Sequence, residues 1–144
     1  MSAAVKTPVA KPAREFFNPG DRARKYYDTL HFATATRYGD LVWVSGQVGI
    51  DPATGLPAEG IEAQARHAFE GVRTALEAAG SSLANVIELS TFHTHLSRDS
   101  AAFMAVKDEF LAEPYPCWTG VGVTELARPE LLVEIRVVAF TDAA

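Results

Sequence analysis

The chain has 144 residues, of which 48% are apolar, enough for one domain with a sizeable core. Its formal net charge of -5 and the absence of any basic block argue against nucleic-acid binding, which needs a cationic stripe to neutralise phosphates. A single cysteine, Cys117, excludes an internal disulfide, the N-terminal stretch has no unbroken apolar run of the signal-peptide kind, and no run approaches the ~20 apolar residues that span a bilayer. A reducing cytoplasm is the expected location.

Residues 1–18 carry scattered prolines, alanines and basic residues and are expected to form a flexible or extended arm, with the domain occupying 19–144. Leu30 to Ile50 reads as strand, turn, strand about Gly39-Asp40. Asp51-Pro52-Ala53-Thr54-Gly55-Leu56-Pro57 is dense in turn formers and reads as a loop. Ile61 to Ala79 is the clearest helix: Ile61, Ala65, Ala68, Phe69, Val72, Leu76 and Ala79 form one apolar stripe, and Gly80 suits a left-handed cap.

Val86 to Leu96 reads as a long strand. A second helix, capped by Asp99 or Ser100, runs to about Ala112 with Phe103, Val106 and Phe110 inward, and Pro114 and Pro116 stop it. Trp118 to Val123 and Leu131 to Phe140 are further strands. The expected fold is α+β: a single mixed sheet with two helices on one face. The second face is rich in Val, Trp and Phe, nothing else in the chain is left to cover it, and self-association would do so.

The last strand, LLVEIRVVAF, is apolar except for Glu134 and Arg136, which share one strand face. Charge on an otherwise buried strand marks a place to look for function. Glu134 reads either as a general acid/base that orients water or as half of an interface ion pair with Arg136. His93 and His95 have the spacing of two metal ligands on one strand, but nothing in the sequence supplies a third, so no metal is expected. Trp118 reads as a ligand-stacking residue or as a core or interface tryptophan. Cys117 could be a nucleophile, but it has no base partner in sequence and reads rather as a half-buried inert thiol. Ser45-Gly46-Gln47 is not a Gly-x-Ser-x-Gly elbow, and its glycine suits close packing or a ligand-facing bend.

Val44-Ser45-Gly46-Gln47, Asp51-Pro52-Ala53-Thr54-Gly55, Gly60-Ile61-Glu62-Ala63-Gln64, the stretch Ala75-Leu76-Glu77-Ala78-Ala79-Gly80-Ser81-Ser82-Leu83 and Leu132-Val133-Glu134-Ile135 together resemble the Rid/YjgF family of enamine/imine deaminases, some of which carry an endoribonuclease L-PSP label. The resemblance runs over residues 30–140. It implies a chorismate-mutase-like trimer with ligand pockets at the subunit clefts and no cofactor. The family's proline-x-arginine-serine motif, whose arginine holds a substrate carboxylate, resembles Pro116-Cys117-Trp118-Thr119, so Trp118 stands at the arginine position. By the same resemblance Phe32 stands for the pocket tyrosine, Met104 for the asparagine and Gly120 for the cysteine, while Glu134 keeps the glutamate. The implied pocket is more apolar than the family's and suits an aromatic or hydrophobic ligand.

Three functions follow. The first is hydrolytic deamination, or related chemistry on an imine, enamine or unsaturated metabolite, with Glu134 positioning water and backbone N–H groups near Gly120 holding the developing charge. Substrate contacts would come from Trp118, Phe32, Met104, Gly120 and Arg136. The second is a non-catalytic small-molecule-binding module. The third and least supported is a ribonuclease, against which the acidic charge speaks. Neither a membrane nor a nucleic-acid partner is expected.

Overall fold

A computed structural model describes residues 12–142. Residues 1–11, most of the expected arm, lie outside the described part. The arm's last stretch, β1 (Glu15–Phe17), belongs to the sheet: it pairs antiparallel with β2 (Ala35–Tyr38), Phe16 opposite Thr36, and Arg37 ties back to Glu15 at 2.7 Å.

A helix absent from the expected order follows. α1 (Asp21–Leu30) has Ala23, Tyr26, Tyr27 and Leu30 at helical spacing, but none of its residues is buried in this chain. The described residues therefore form three α-helices rather than two, and Leu30 ends a helix instead of opening a strand. β2 turns through Gly39-Asp40 into β3 (Leu41–Val48), with Tyr38 opposite Leu41 and Gly39 at φ 61°. That left-handed conformation suits glycine in a two-residue hairpin. The loop after it contains a short ladder of β4 (Ile50–Asp51) with β5 (Leu56–Pro57).

α2 (Gly60–Ala78) buries Gln64, Ala65, Ala68, Phe69, Val72, Ala75 and Leu76 along one stripe. Its end is a Schellman motif: the Ser81 N–H donates to Leu76 O at 2.8 Å, the Gly80 N–H to Glu77 O at 3.2 Å, and Gly80 sits at φ 80°. After a short 3₁₀ turn come β6 (Val86–His93), α3 (Leu96–Phe110), β7 (Cys117–Gly122) and β8 (Val133–Phe140). α3 begins ahead of the expected Asp99/Ser100 cap, with His95 as its flanking residue; Asp99 is buried in its first turn and paired with Arg98 at 2.7 Å.

The six strands lie in the order β1-β2-β3-β8-β6-β7, with only β6 and β7 parallel. The sheet is thus mixed, and α3 makes the crossover that a parallel pair requires. α2 packs on β3 and β8, and α3 packs on α2. Between helices and sheet lie Phe69, Phe103, Leu76, Leu89, Ile135, Val42 and Val44, with the Phe69 ring stacked on Phe110 at 5.0 Å and on Phe103 at 6.0 Å. Each such side chain contributes about 1.5–3 kcal/mol by leaving water. Gln64, almost wholly buried, fastens the loops over this core. Its Nε2 donates to Ala58 O and Glu130 O at 2.9 and 2.8 Å, and its Oε1 accepts from the Leu132 N–H at 2.7 Å.

The other face has no cover among the described residues. Phe16, Tyr38, Leu41, Trp43 and Phe140 are exposed, and pairing places Thr36 beside Trp43 and Leu41 beside Phe140.

Candidate functional site

Glu134 lies on this open face. It alternates with buried Val133 and Ile135 on β8 and pairs with Phe92 of β6 and Val48 of β3. Where it meets β3, that strand carries one extra residue between Val44 and Gln47, a bulge containing Ser45-Gly46. A Cβ on Gly46 would lie 2.3 Å from Glu134 Oε1 and 2.8 Å from its Cγ, so the carboxylate sits flush against bare backbone. Glu134 is half-buried, and burial pushes its carboxyl above the ordinary 4.5 because the charged form loses hydration. Arg136 shares the face but is exposed opposite Ser90 and provides no counter-charge, so no ion pair joins the two within the described residues.

Phe32 approaches from the same end of β3. Ser45 stitches the segment after it to the bulge, its N–H donating to Thr34 O at 2.9 Å and its Oγ to Ala33 O at 2.7 Å. The Phe32 ring meets Tyr26 of α1 at 5.8 Å. Together with Gly46, Gln47, His67 and Thr74 these two rings line a cavity of about 530 Å³ between α1, α2 and β3. Sequence reasoning missed this cavity with α1; the spacing of Ala23, Tyr26, Tyr27 and Leu30 was the available signal.

Trp118, Gly120 and Met104 form a second group on the opposite, helix-covered side. Trp118 pairs with buried Leu89, and its ring meets Phe103 of α3 at 6.1 Å. Its Nε1–H donates to Thr91 Oγ1 at 3.0 Å, and Thr91 Oγ1 is also 2.8 Å from His93 Nε2. Gly120 makes room for that bond: a Cβ there would stand 3.1 Å from Thr91 Oγ1 and 3.4 Å from the indole. Met104 is exposed on α3, and Lys107, at i+3 on the same flank, holds its Nζ 5.1 Å from the Trp118 ring centroid. Lys107 and Thr91 were not singled out in the sequence.

The histidines divide. His93 is fully buried against the Phe103 ring at 4.7 Å, and its Nδ1 has no hydrogen-bond partner among the described residues. Burial pushes its pKa below 6.5, and Asp99 opposes that shift only in part. β6 ends at His93, so His95 shares no strand face with it; it is exposed beside Thr94. Among the described residues no group of three or more His, Cys, Asp or Glu is placed to hold a metal, and no helix is long and apolar enough to cross a membrane. Cys117 is free and, at the start of edge strand β7, exposed rather than half-buried as expected.

Residues 25–141 match the family model described as Endoribonuclease L-PSP. The chain belongs to the Rid/YjgF/RutC family. Among curated family members, the RutC family protein YjgH of Escherichia coli is 41% identical over 114 residues, 78% of this chain and 85% of that protein. A 2-iminobutanoate/2-iminopropanoate deaminase of Salmonella typhimurium is 33% identical over 103 residues, 70% of this chain and 80% of that protein. The crystal structure of Rv2704, a YjgF/YER057c/UK114 family member from Mycobacterium tuberculosis, superposes with a TM-score of 0.77 at 29% identity, covering 90% of this chain and all of that one. The α+β sheet with its three helices is accordingly the fold of the Rid/YjgF family. Within it, Glu134 lies against Gly46 on the open face, Trp118, Gly120 and Met104 lie on the helix-covered side, and Phe32 lines the cavity that α1 and α2 border.

Proposed function

We propose that this protein hydrolyses an imine, enamine or related unsaturated metabolite in clefts formed between its copies, with Glu134 as the group that works on water. The observation that carries the reading is the Glu134 carboxyl: half-buried, raised in pKa by burial alone, and pressed against Gly46. A carboxyl raised in this way holds a proton more readily than an exposed one and is suited to accept and return it. In the proposed reaction it takes a proton from water as the oxygen adds to the C=N carbon. It then delivers that proton to the nitrogen of the tetrahedral adduct and passes the hydroxyl proton to the same nitrogen, so that ammonia leaves with both water hydrogens while the oxygen stays behind as the carbonyl. Water is the only co-reactant. The imine deaminase activity named for the Salmonella relative supports this class of reaction.

The sheet itself motivates the assembly. Glu134 and Trp118 project from opposite faces and cannot meet around one ligand within one chain. Two copies in contact can bring one chain's Glu134, Gly46 and Phe32 to the other's Trp118, Met104 and Gly120, and the open face with Trp43, Leu41 and Phe140 is available for burial in a homotrimer. Arg136 contributes from the Glu134 side. Trp118, Phe32 and Met104, matched to a polar arginine, tyrosine and asparagine in the family pattern, make the pocket more apolar and favour a bulkier ligand than a small aliphatic imino acid. The net charge of -5 favours neither ribonuclease action nor membrane attachment, and a cytoplasmic location agrees with the single cysteine.

The test is Glu134→Gln, assayed on aliphatic and aromatic imino acids generated in situ. It keeps the side chain's shape while removing its acid/base capacity. Turnover should fall roughly 10²- to 10⁴-fold with the melting temperature maintained. Full turnover would leave the fold with a binding role, the second reading, which the apolar trio favours.

A further inference from the structure

The Trp118 indole is held more firmly than an exposed residue on an edge strand requires. Thr91 fixes its N–H, buried His93 fixes Thr91, and Gly120 leaves the space for both bonds. Still, 39% of Trp118 is exposed, so this fixed ring offers free surface. Lys107 holds its ammonium over the ring at 5.1 Å, and its side chain is only 15% exposed. The stem is therefore ordered before any ligand arrives. Its anionic partner is the neighbouring Asp108 at 3.0 Å, 67% exposed. A pair whose carboxylate stands this far out in water is worth little, and that carboxylate is readily exchanged for another anion. Arg136 cannot take this role in the same chain, because it projects from the opposite face, opposite Ser90.

We propose that Lys107 and Trp118 form one subsite, the ammonium for an anionic group and the indole for a flat unsaturated body, so that the ligand is a carboxylate carrying an aromatic or conjugated group. This specifies the substrate class for the pocket of the preceding subsection and rests on that pocket. A lysine is a single point of charge, without the two-pronged grip of a guanidinium. Stacking on the indole supplies the second point of attachment. A small aliphatic acid has only the first and binds weakly.

The experiment is calorimetric titration of the full-length protein with phenylpyruvate, pyruvate and the methyl ester of phenylpyruvate, in the wild type, Lys107→Met and Lys107→Arg. Phenylpyruvate should bind the wild type more tightly than pyruvate. Lys107→Met should weaken phenylpyruvate roughly 10- to 100-fold at an unchanged melting temperature. Lys107→Arg should restore most of the affinity, and the uncharged ester should not respond to either change. Lys107→Gln, which keeps a polar side chain, stands in should the methionine variant misfold. The proposal falls if phenylpyruvate does not bind the wild type, if it binds Lys107→Met equally well, or if the ester loses as much as the acid. Because binding is read without turnover, a protein that gives this pattern but hydrolyses no imine retains the subsite and loses the enzyme reading.

Discussion

Replacing Gly46 by alanine perturbs Glu134 without touching it. The new Cβ would lie 2.3 Å from Oε1, 2.5 Å from Cδ and 2.8 Å from Cγ of Glu134. Normal contact is ~3.5 Å, so the carboxyl must retreat by roughly 1 Å or more. The backbone around it is constrained by the β3 bulge and by the pairing of Glu134 with Phe92 and Val48, so the side chain is the part that yields. A reacting group displaced by about 1 Å can lose on the order of 10²-fold in rate. The cost in stability should sit at the low end of the ~1–3 kcal/mol typical of overpacking, because a half-buried side chain can swing aside. For a chain of this size that is a fall of roughly 2–4 °C in melting temperature per kcal/mol. Scanning calorimetry and imine hydrolysis should therefore separate, with a small loss in the first and a large one in the second. Combining Gly46→Ala with Glu134→Gln should be no worse for turnover than Glu134→Gln alone, since both act through one carboxyl. Wild-type turnover in Gly46→Ala, on a substrate that Glu134→Gln fails to turn over, would refute the link between the glycine and the catalytic geometry.

Three further outcomes are expected. Sedimentation should give about three times the 15.5 kDa subunit mass, and mixing Glu134→Gln with Trp118→Ala chains under exchange conditions should recover activity in clefts that combine two intact halves; a stable monomer, or no recovery in confirmed mixed trimers, would defeat the shared cleft. His93 should make the fold acid-sensitive. Its folded pKa lies below 6.5, so the unfolded state takes up its proton first, and its contribution to stability is present above about pH 6.5 and is lost as pH falls. Denaturant melts at pH 7.5 and 5.0 should show a steeper loss in the wild type than in His93→Gln, and equal losses would rule out His93 as the source.

Much of the fold is written in local pattern. The α2 stripe, its Gly80 cap, the Gly39-Asp40 hairpin and the apolar last strand each rest on residues a few positions apart, so periodicity and turn chemistry are enough to place them. Glu134 stood out for the same reason, as a charge in a run of Val and Ile. α1 escaped because its apolar residues bury nothing in their own chain, and α3 began early because the turn after His93, and not a capping side chain, ends β6. Which face each candidate occupies could not be read locally. It depends on strand register, and a bulge shifts register by one residue: β3 gains its extra residue between Val44 and Gln47, and β6 gains one between Val86 and Glu88. The sequence by itself determined α2 with its cap, the Gly39-Asp40 hairpin, and the last strand with its lone carboxylate. Only the tertiary structure set Glu134 and Trp118 on opposite faces, brought Thr91, His93 and Lys107 around the indole, and closed Gly46 onto Glu134, because each of those contacts joins strands or helices whose pairing is settled by the packing of the whole sheet.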